Sequence, residues 1–322
     1  MTTGQAGRHR QPSAASMTGS GRLGWADLPA ELVVNLERRL GSRVVDATGQ
    51  PGGFSEGVAV RARLADDRGV FVKAVNALAA PGVARFHRRE IAVSGQLPAA
   101  APVPRLLDAY DDGTWVALMF EEIDGRLPAQ PWRLDELEQV LGAADELARI
   151  LTPAPVDPAL LGRPRLGGWQ ALAAEGAGDR LSTLSPWAAT HLDELVELET
   201  GAGPLLAGDT LLHGDLYPFN VLLSPAGVRV VDWPHAWVGA AHCDVLTLLS
   251  TATLAGIDPQ PLADRHPLTR DLDSDAIDAF LAVHSGFLLR LASMAGTGAD
   301  PNLVGMATAL GRSSLDWLRR RR

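Results

Sequence analysis

A chain of 322 residues with 46% hydrophobic and 21% charged side chains is long enough for about two globular domains, which excludes a fibrous or wholly disordered protein. The 29 basic and 38 acidic residues leave a net charge of -9, which argues against non-specific nucleic-acid binding and permits a cationic ligand without demanding one. Cys243, the single cysteine, excludes an intrachain disulfide; the N-terminus has no apolar core of the kind a signal peptide needs, and the most apolar long run, 245–257, is interrupted by Thr and Ser and too short to cross a bilayer.

Taken in order, residues 1–22 mix Gly, Ser, Thr, Gln and Arg without apolar period and are expected to form a disordered tail. Leu28, Leu32, Leu36 and Leu40 then predict a helix over 28–40, with Asp27 as its cap ahead of Pro29. The period changes to two over 43–48, 58–64 and 70–75, which read as strands, the last two joined by the turn 65–69.

Between the first two strands lies Pro51-Gly52-Gly53-Phe54-Ser55-Glu56-Gly57, whose glycines let backbone approach a phosphate chain closely. Its Gly53-Phe54-Ser55-Glu56-Gly57 also matches the Gly-x-Ser-x-Gly elbow of serine hydrolases, with Ser55 as nucleophile. That elbow requires a helix after it, and 58–64 alternates as a strand instead.

Lys73 sits within the apolar strand 70–75, where a lone lysine would read as a solvated edge charge. The next helix, with Val83, Phe86, Glu90, Val93 and Leu97 at steps of three and four, carries Glu90 on its inward stripe. A carboxylate placed there needs a partner, and Lys73 on the facing sheet is the obvious one.

Residues 106–110 and 114–120 form a second predicted hairpin, after which Glu121-Glu122-Ile123-Asp124-Gly125 leaves the sheet as a linker. The lobe boundary is placed there, giving a first lobe over 23–121 and a second over 122–322. From Leu134 the period is helical through Leu151, broken by the proline-rich stretch 153–164, and resumed over 169–175 and 186–198, the latter ending near Gly201 and Gly203. Glu194, Glu197 and Glu199 in that helix are either a solvated face or the lining of a pocket. A helix opens at about 241, where His235 and His242 read as packed or capping residues and Cys243 as a small buried hydrophobe. Helices over 274–295 and 302–320 end the chain in Arg319–Arg322, a cation cluster suited to a helix C-terminus.

The densest chemistry lies in 211–233. His213-Gly214-Asp215 is followed by Asn220, then by the strands 221–223 and 228–231 around Ser224-Pro225-Ala226-Gly227, and then by Asp232-Trp233. A short antiparallel hairpin brings Asn220, just before it, and Asp232, just after it, to one end, where two oxygen ligands suit Mg²⁺. Asp215 lies five residues from Asn220, near enough to face the same phosphate.

This His-Gly-Asp-x-x-x-x-Asn followed by Asp-Trp resembles the aminoglycoside phosphotransferase family of small-molecule kinases, a variant of the protein-kinase catalytic loop. The resemblance implies an α+β bilobal protein-kinase-like fold, with an antiparallel β-sheet N-lobe and a mainly helical C-lobe. It implies transfer of the γ-phosphate of ATP, with Mg²⁺, to a hydroxyl of a small molecule, in the cytoplasm, by a monomer or homodimer with no nucleic-acid or membrane partner.

In that scheme Asp215 is catalytic, Asn220 and Asp232 hold the metal, and Lys73, steadied by Glu90, clamps the α- and β-phosphates. Gly53, Phe54 and Ser55 cover the phosphate chain, and Glu121 to Ile123 form the adenine hinge. The family also implies that His213 orders the catalytic loop, that Asp244 anchors it, and that the middle of the C-lobe builds the substrate pocket.

Tyr217 stands where the family often has His, Phe219 where it often has Gly, and Pro234 follows the Asp-Trp. With Phe219, Trp233, His235 and Trp237 around the motif, the surround is more aromatic than a polycationic sugar needs, and no acidic cluster singles one out. A nucleotide-binding pseudokinase is the alternative, opposed by intact Lys73, Asp215, Asn220 and Asp232. A serine hydrolase using Ser55 is the distant one.

Overall fold

The structure, a computed structural model, describes residues 23–50, 57–296 and 298–322. The predicted tail over 1–22 and the loop residues Gly53, Phe54 and Ser55 lie outside them. Two apolar cores organise the rest, one beneath an antiparallel sheet and one among helices, giving the expected bilobal α+β architecture.

The sheet contains β1 (Val44–Gly49), β2 (Val58–Leu64), β3 (Gly69–Asn76), β4 (Leu106–Asp111) and β5 (Trp115–Glu121), in the order β1-β2-β3-β5-β4 with every neighbour antiparallel. Side chains alternate across it. Val70, Val72 and Ala74 of β3 and Ala117 and Met119 of β5 face the core closed by α1 (Ala30–Leu40), through Leu32, Leu36 and Leu40. Gly41, at φ 73 in the left-handed region, ends that helix. Asp27 is not its cap: its carboxylate accepts instead from the Gly24 N–H at 2.7 Å, and Pro29 holds the cap position.

Val75 and Val116 point the other way, towards α2 (Pro81–Ser94). Period two therefore places Lys73 on the α2 side of the sheet, paired in register with Leu118.

The second core is built on α3 (Leu134–Ile150), α4 (Gly168–Ala174), α5 (Gly178–Leu184), α6 (Pro186–Thr190) and α7 (Leu192–Leu205), with α8 (His242–Ala252), α9 (Gln260–Ala263), α10 (Ser274–Ala292) and α11 (Pro301–Arg321). The helix expected over 186–198 is two helices, because Ser185 caps a first turn through the Ala188 N–H and the chain breaks at His191. The second runs past Gly201 and Gly203 to Leu205. Helices α4 and α10 cross closely: a Cβ on Gly168 would lie 2.3 Å from the Gly286 carbonyl carbon, and Trp169 Nε1 donates to Ala282 O at 2.7 Å.

Two small ribbons position the motif. β6 (Thr210–Leu212) pairs with β9 (Trp237–Gly239), and β7 (Val221–Ser224) with β8 (Gly227–Val230). The loops 213–220 and 231–236 each connect one ribbon to the other, so they meet side by side. β6 and β9 escape sequence reading because three-residue strands carry no usable period.

Acidification should weaken this core. Burial pushes His242 down to about 4, and its Nε2 is a buried ring nitrogen without a hydrogen-bond partner; burial pushes His284 down to about 3. Unfolded histidines protonate near 6.5, whereas these stay neutral in the fold until well below it. Stability present above that value is therefore lost as pH falls through the window, by about 1.4 kcal/mol per pH unit for each proton taken up on unfolding. Urea unfolding from pH 7 to 4.5 measures this, and His242→Gln should flatten the slope.

Candidate active site

Lys73 links the two cores. Its Nζ donates to Glu90 Oε1 and Oε2 at 2.8 and 2.9 Å, and to Asp232 Oδ1 at 2.6 Å. Glu90 is 2% exposed, on the buried stripe of α2, so its charge depends on this lysine. Two carboxylates share one ammonium. Burial pushes Glu90 up to about 7, with Lys73 opposing the rise and Asp232 adding to it. Burial also works to raise Asp232, and Lys73 outweighs it, holding that carboxyl down at about 2. Burial disfavours the charged form of Lys73, but the two carboxylates carry the ammonium above its ordinary value.

Asp232 adopts φ 70, a left-handed conformation uncommon outside glycine, at the residue that must turn its carboxylate to Lys73. Neighbouring backbone holds it there: the Val231 N–H donates to Asn220 O at 2.9 Å, tying one loop to the other.

Asn220 is 3% exposed. Its Nδ2 donates to Asp215 O at 2.8 Å and to Asp215 Oδ2 at 3.1 Å, so both amide protons are spent on Asp215 and Oδ1 remains as a donor to a metal. Asp232 keeps Oδ2 on a side chain 44% exposed. One amide and one carboxylate oxygen, both hard donors on converging loops, fit Mg²⁺. Histidine nitrogens and thiolates take no part, and no group of three or more His, Cys, Asp or Glu suited to a metal forms among the described residues.

The loop bearing Asp215 is fastened from beneath. Asp244, in the first turn of α8, accepts from the His213 N–H at 2.7 Å and the Gly214 N–H at 3.0 Å. The Asp215 N–H donates to His213 Nδ1 at 3.2 Å, which leaves His213 Nε2 to donate to Val231 O at 3.0 Å. Gly214 sits at φ 72, and a Cβ there would lie 2.5 Å from His235 O, so no other residue fits. Asp244→Ala would orphan two backbone donors and should cost about 2–5 kcal/mol in denaturant unfolding, with a matching loss of Asp215 alignment.

Several expected residues do other work. Trp233 is 2% exposed, packed edge-on under the His213 ring at 4.8 Å, and belongs to the core rather than to a pocket wall. Glu199, 2% exposed, caps the start of α4 by accepting from the Gly168 and Gln170 N–H groups at 2.8 and 3.0 Å. The terminal arginines do lie in and just after the last turn of α11, and two of them are also ion-paired across helices, Arg322 with Glu194 at 2.8 Å and Arg321 with Asp278 at 2.7 Å. His235 packs against Phe86 at 4.9 Å between ring centres.

The residues expected to form the hinge differ from each other. The Glu121 N–H donates to Arg105 O at 3.0 Å, while Ile123 has no backbone hydrogen bond among the described residues. Beyond them, Arg126 and Leu223 exchange N–H···O bonds of 3.0 and 2.7 Å, fastening the linker to β7. Ser55 lies outside the described residues, but the segment after it, Val58–Leu64, is the strand β2 and not the helix a hydrolase elbow requires.

Arg165 is the residue that sequence reading missed. Its Nη1 donates to Asp215 Oδ1 at 3.1 Å and its guanidinium lies 4.5 Å from the centre of the Phe287 ring. Nothing local in the stretch around Pro164 signals this, since its partners are far away in sequence.

A lysine held by a helix glutamate and reaching an aspartate on the far lobe, beside an Asp–Asn loop, defines a protein-kinase-like site. The chain belongs to the phosphotransferase enzyme family APH, whose model matches residues 52–277 of 322. It is 32% identical over 163 residues to the aminoglycoside 3'-phosphotransferase of Streptomyces fradiae, a match covering 45% of this chain and 56% of that protein. The similar enzyme of Streptomyces ribosidificus is 30% identical over 165 residues, 49% of this chain and 61% of its own. The chain thus spans little more than half the length of these curated relatives. Its fold matches the GDP and kanamycin complex of APH(2")-IIia with a TM-score of 0.61 at 13% identity, covering 89% of this chain and 99% of the other.

Proposed function

We propose that this chain is an ATP-dependent kinase that transfers the γ-phosphoryl group to a hydroxyl of a small molecule in the cytoplasm. The observation that carries the reading is the Lys73–Asp232 contact at 2.6 Å, which supports taking Lys73 as a phosphate clamp working with the Asp215–Asn220 loop. Residues 23–121 are taken as the nucleotide lobe and 122–322 as the catalytic and acceptor lobe, with Ile123 offering its free backbone groups to adenine and Glu121 shaping the hinge. Gly53, Phe54 and Ser55 are assigned to the phosphate cover. GDP in the APH(2")-IIia complex supports a nucleotide donor.

Asp215 accepts the proton of the acceptor hydroxyl as the new P–O bond forms and the bond to the β-phosphate oxygen breaks. Asn220 steadies it from one side, and Lys73 holds the α- and β-phosphates of the leaving nucleoside diphosphate. Mg²⁺, when bound by Asn220 and Asp232, neutralises charge on the phosphates. Most of the rate enhancement is positioning and electrostatics, which is why the chain invests in loop-to-loop hydrogen bonds rather than in a covalent nucleophile.

The test is Mg²⁺-dependent transfer of label from γ-labelled ATP to a panel of hydroxylated antibiotics and metabolites, with nucleotide binding followed by calorimetry. Transfer to one class of acceptor is expected. Binding of no nucleotide and transfer to no acceptor would overturn the reading.

A further inference from the structure

We infer that Arg165 selects the acceptor of this site, and that the acceptor is an uncharged or anionic hydroxyl compound with an apolar body, not a polycation. The inference rests on the kinase reading above and names the substrate class of that site.

The position of Arg165 is built, not incidental. On one side the Gly162 N–H donates to Ala236 O at 2.8 Å, in the loop that follows Asp232. On the other, Gly167 at φ 87 turns the chain into α4, where the buried Glu199 fixes the Gly168 N–H. Between these two anchors the Arg165 side chain is 25% exposed, lies over Phe287 and reaches the carboxylate of Asp215.

Asp215 Oδ2 is engaged by Asn220 and Oδ1 by Arg165. A hydroxyl approaching this carboxylate therefore arrives beside a fixed guanidinium that still has N–H donors to offer. An anionic or hydrogen-bond-accepting group next to the reacting hydroxyl gains from that, while an ammonium group finds the Asp215 carboxylate already neutralised by Arg165. At about 6 Å in a partly screened site, losing the attraction of a bare carboxylate costs each ammonium on the order of tenfold in affinity.

The neighbouring surface agrees. Half-buried Phe219 and Phe287 pack with Tyr217, Leu288 and Leu291 next to the Asp215 loop, and Tyr217 is pinned there by its hydroxyl to His284 Nε2 at 2.7 Å. Two of the three glutamates that would have supplied an acidic lining are engaged elsewhere, Glu199 at the start of α4 and Glu194 with Arg322, and Glu197 is exposed to solvent. Beside the Asp215 carboxylate the structure thus sets an apolar cluster and one cation paired to that carboxylate, with Asp232 on the nucleotide side.

The full chain is given Mg²⁺ and γ-labelled ATP with three pools of hydroxyl compounds: polycationic aminoglycosides including kanamycin, neutral macrolides and glycosides, and carboxylate- or phosphate-bearing alcohols. ATP binding is measured separately. Label is expected in the neutral or anionic pool, with kanamycin at least ~10-fold poorer in kcat/KM.

In Arg165→Gln the ratio of the accepted compound to kanamycin should fall by ~10-fold or more, and Arg165→Lys should restore most of it. Preferential labelling of aminoglycosides overturns the inference, as does label in no pool while ATP still binds. An equal loss for all acceptors in Arg165→Gln also overturns it, since that would assign Arg165 to the phosphoryl group or to loop structure. Failure of ATP itself to bind would overturn the kinase reading first, and is seen in the separate binding measurement.

Discussion

Replacing Asp215 by Asn should lower turnover by about 10³-fold while leaving ATP affinity within a few-fold of the parent protein. The separation follows from how the loop is held. Asn220 Nδ2 donates to the backbone oxygen of Asp215 at 2.8 Å as well as to its carboxylate, and Asp244 grips His213 and Gly214 from below. None of these bonds needs the Asp215 charge, and Asn is close to its shape. The nucleotide side, Lys73 with Glu90 and Asp232, is untouched by the change. Steady-state kinetics with a phosphorylated acceptor, set against calorimetric titration with Mg²⁺-ATP, separates the two quantities. Near-normal turnover would remove Asp215 from the role of proton acceptor. Asp215→Ala is the less informative variant, because it leaves Arg165 and Asn220 with no side-chain oxygen to donate to, whereas Asn keeps one.

How much of this site could be read in advance depended on the range over which each residue's reasons lie. Lys73 and Glu90 were legible because each breaks a local pattern: a charge in an apolar strand, and a charge on an apolar helical stripe, each explicable by the other. Asp215, Asn220 and Asp232 were legible through spacing around a short hairpin, whose register then brought Val221 opposite Val230.

The three-residue strands β6 and β9 were not legible, since their pairing is decided by burial between α3, α8 and the loop rather than by period. Trp233 was misplaced for a related reason. An aromatic beside a catalytic motif has no sequence mark that separates a pocket wall from core, and only the packing of His213 against it decides. Arg165 and Glu199 act across 50 and 31 residues, respectively, and an arginine in a connecting stretch or a glutamate on a helix has solvation as its default reading.

The contrast between Asp232→Asn and Lys73→Met should show which member of the trio serves chemistry and which also serves the fold. Asp232 and Glu90 together place two negative charges on one ammonium, and Asp232 does so at φ 70, a conformation asparagine accepts readily. Removing the Asp232 charge leaves Lys73 and Glu90 as a matched pair, so Asp232→Asn should unfold within about 1 kcal/mol of the parent protein or slightly above it. It also removes the carboxylate donor for Mg²⁺, and turnover should fall by about 10²–10⁴-fold. Lys73→Met does the reverse to the balance. Glu90, 2% exposed, would remain beside Asp232 with no cation, at a cost of about 3–5 kcal/mol, and activity would be lost as well. Urea unfolding of both variants at pH 7.5, alongside kcat and Mg²⁺-ATP affinity, tests the pair. Equal destabilisation of the two would mean that Asp232 is held in place by more than Lys73, and that its charge belongs to the fold.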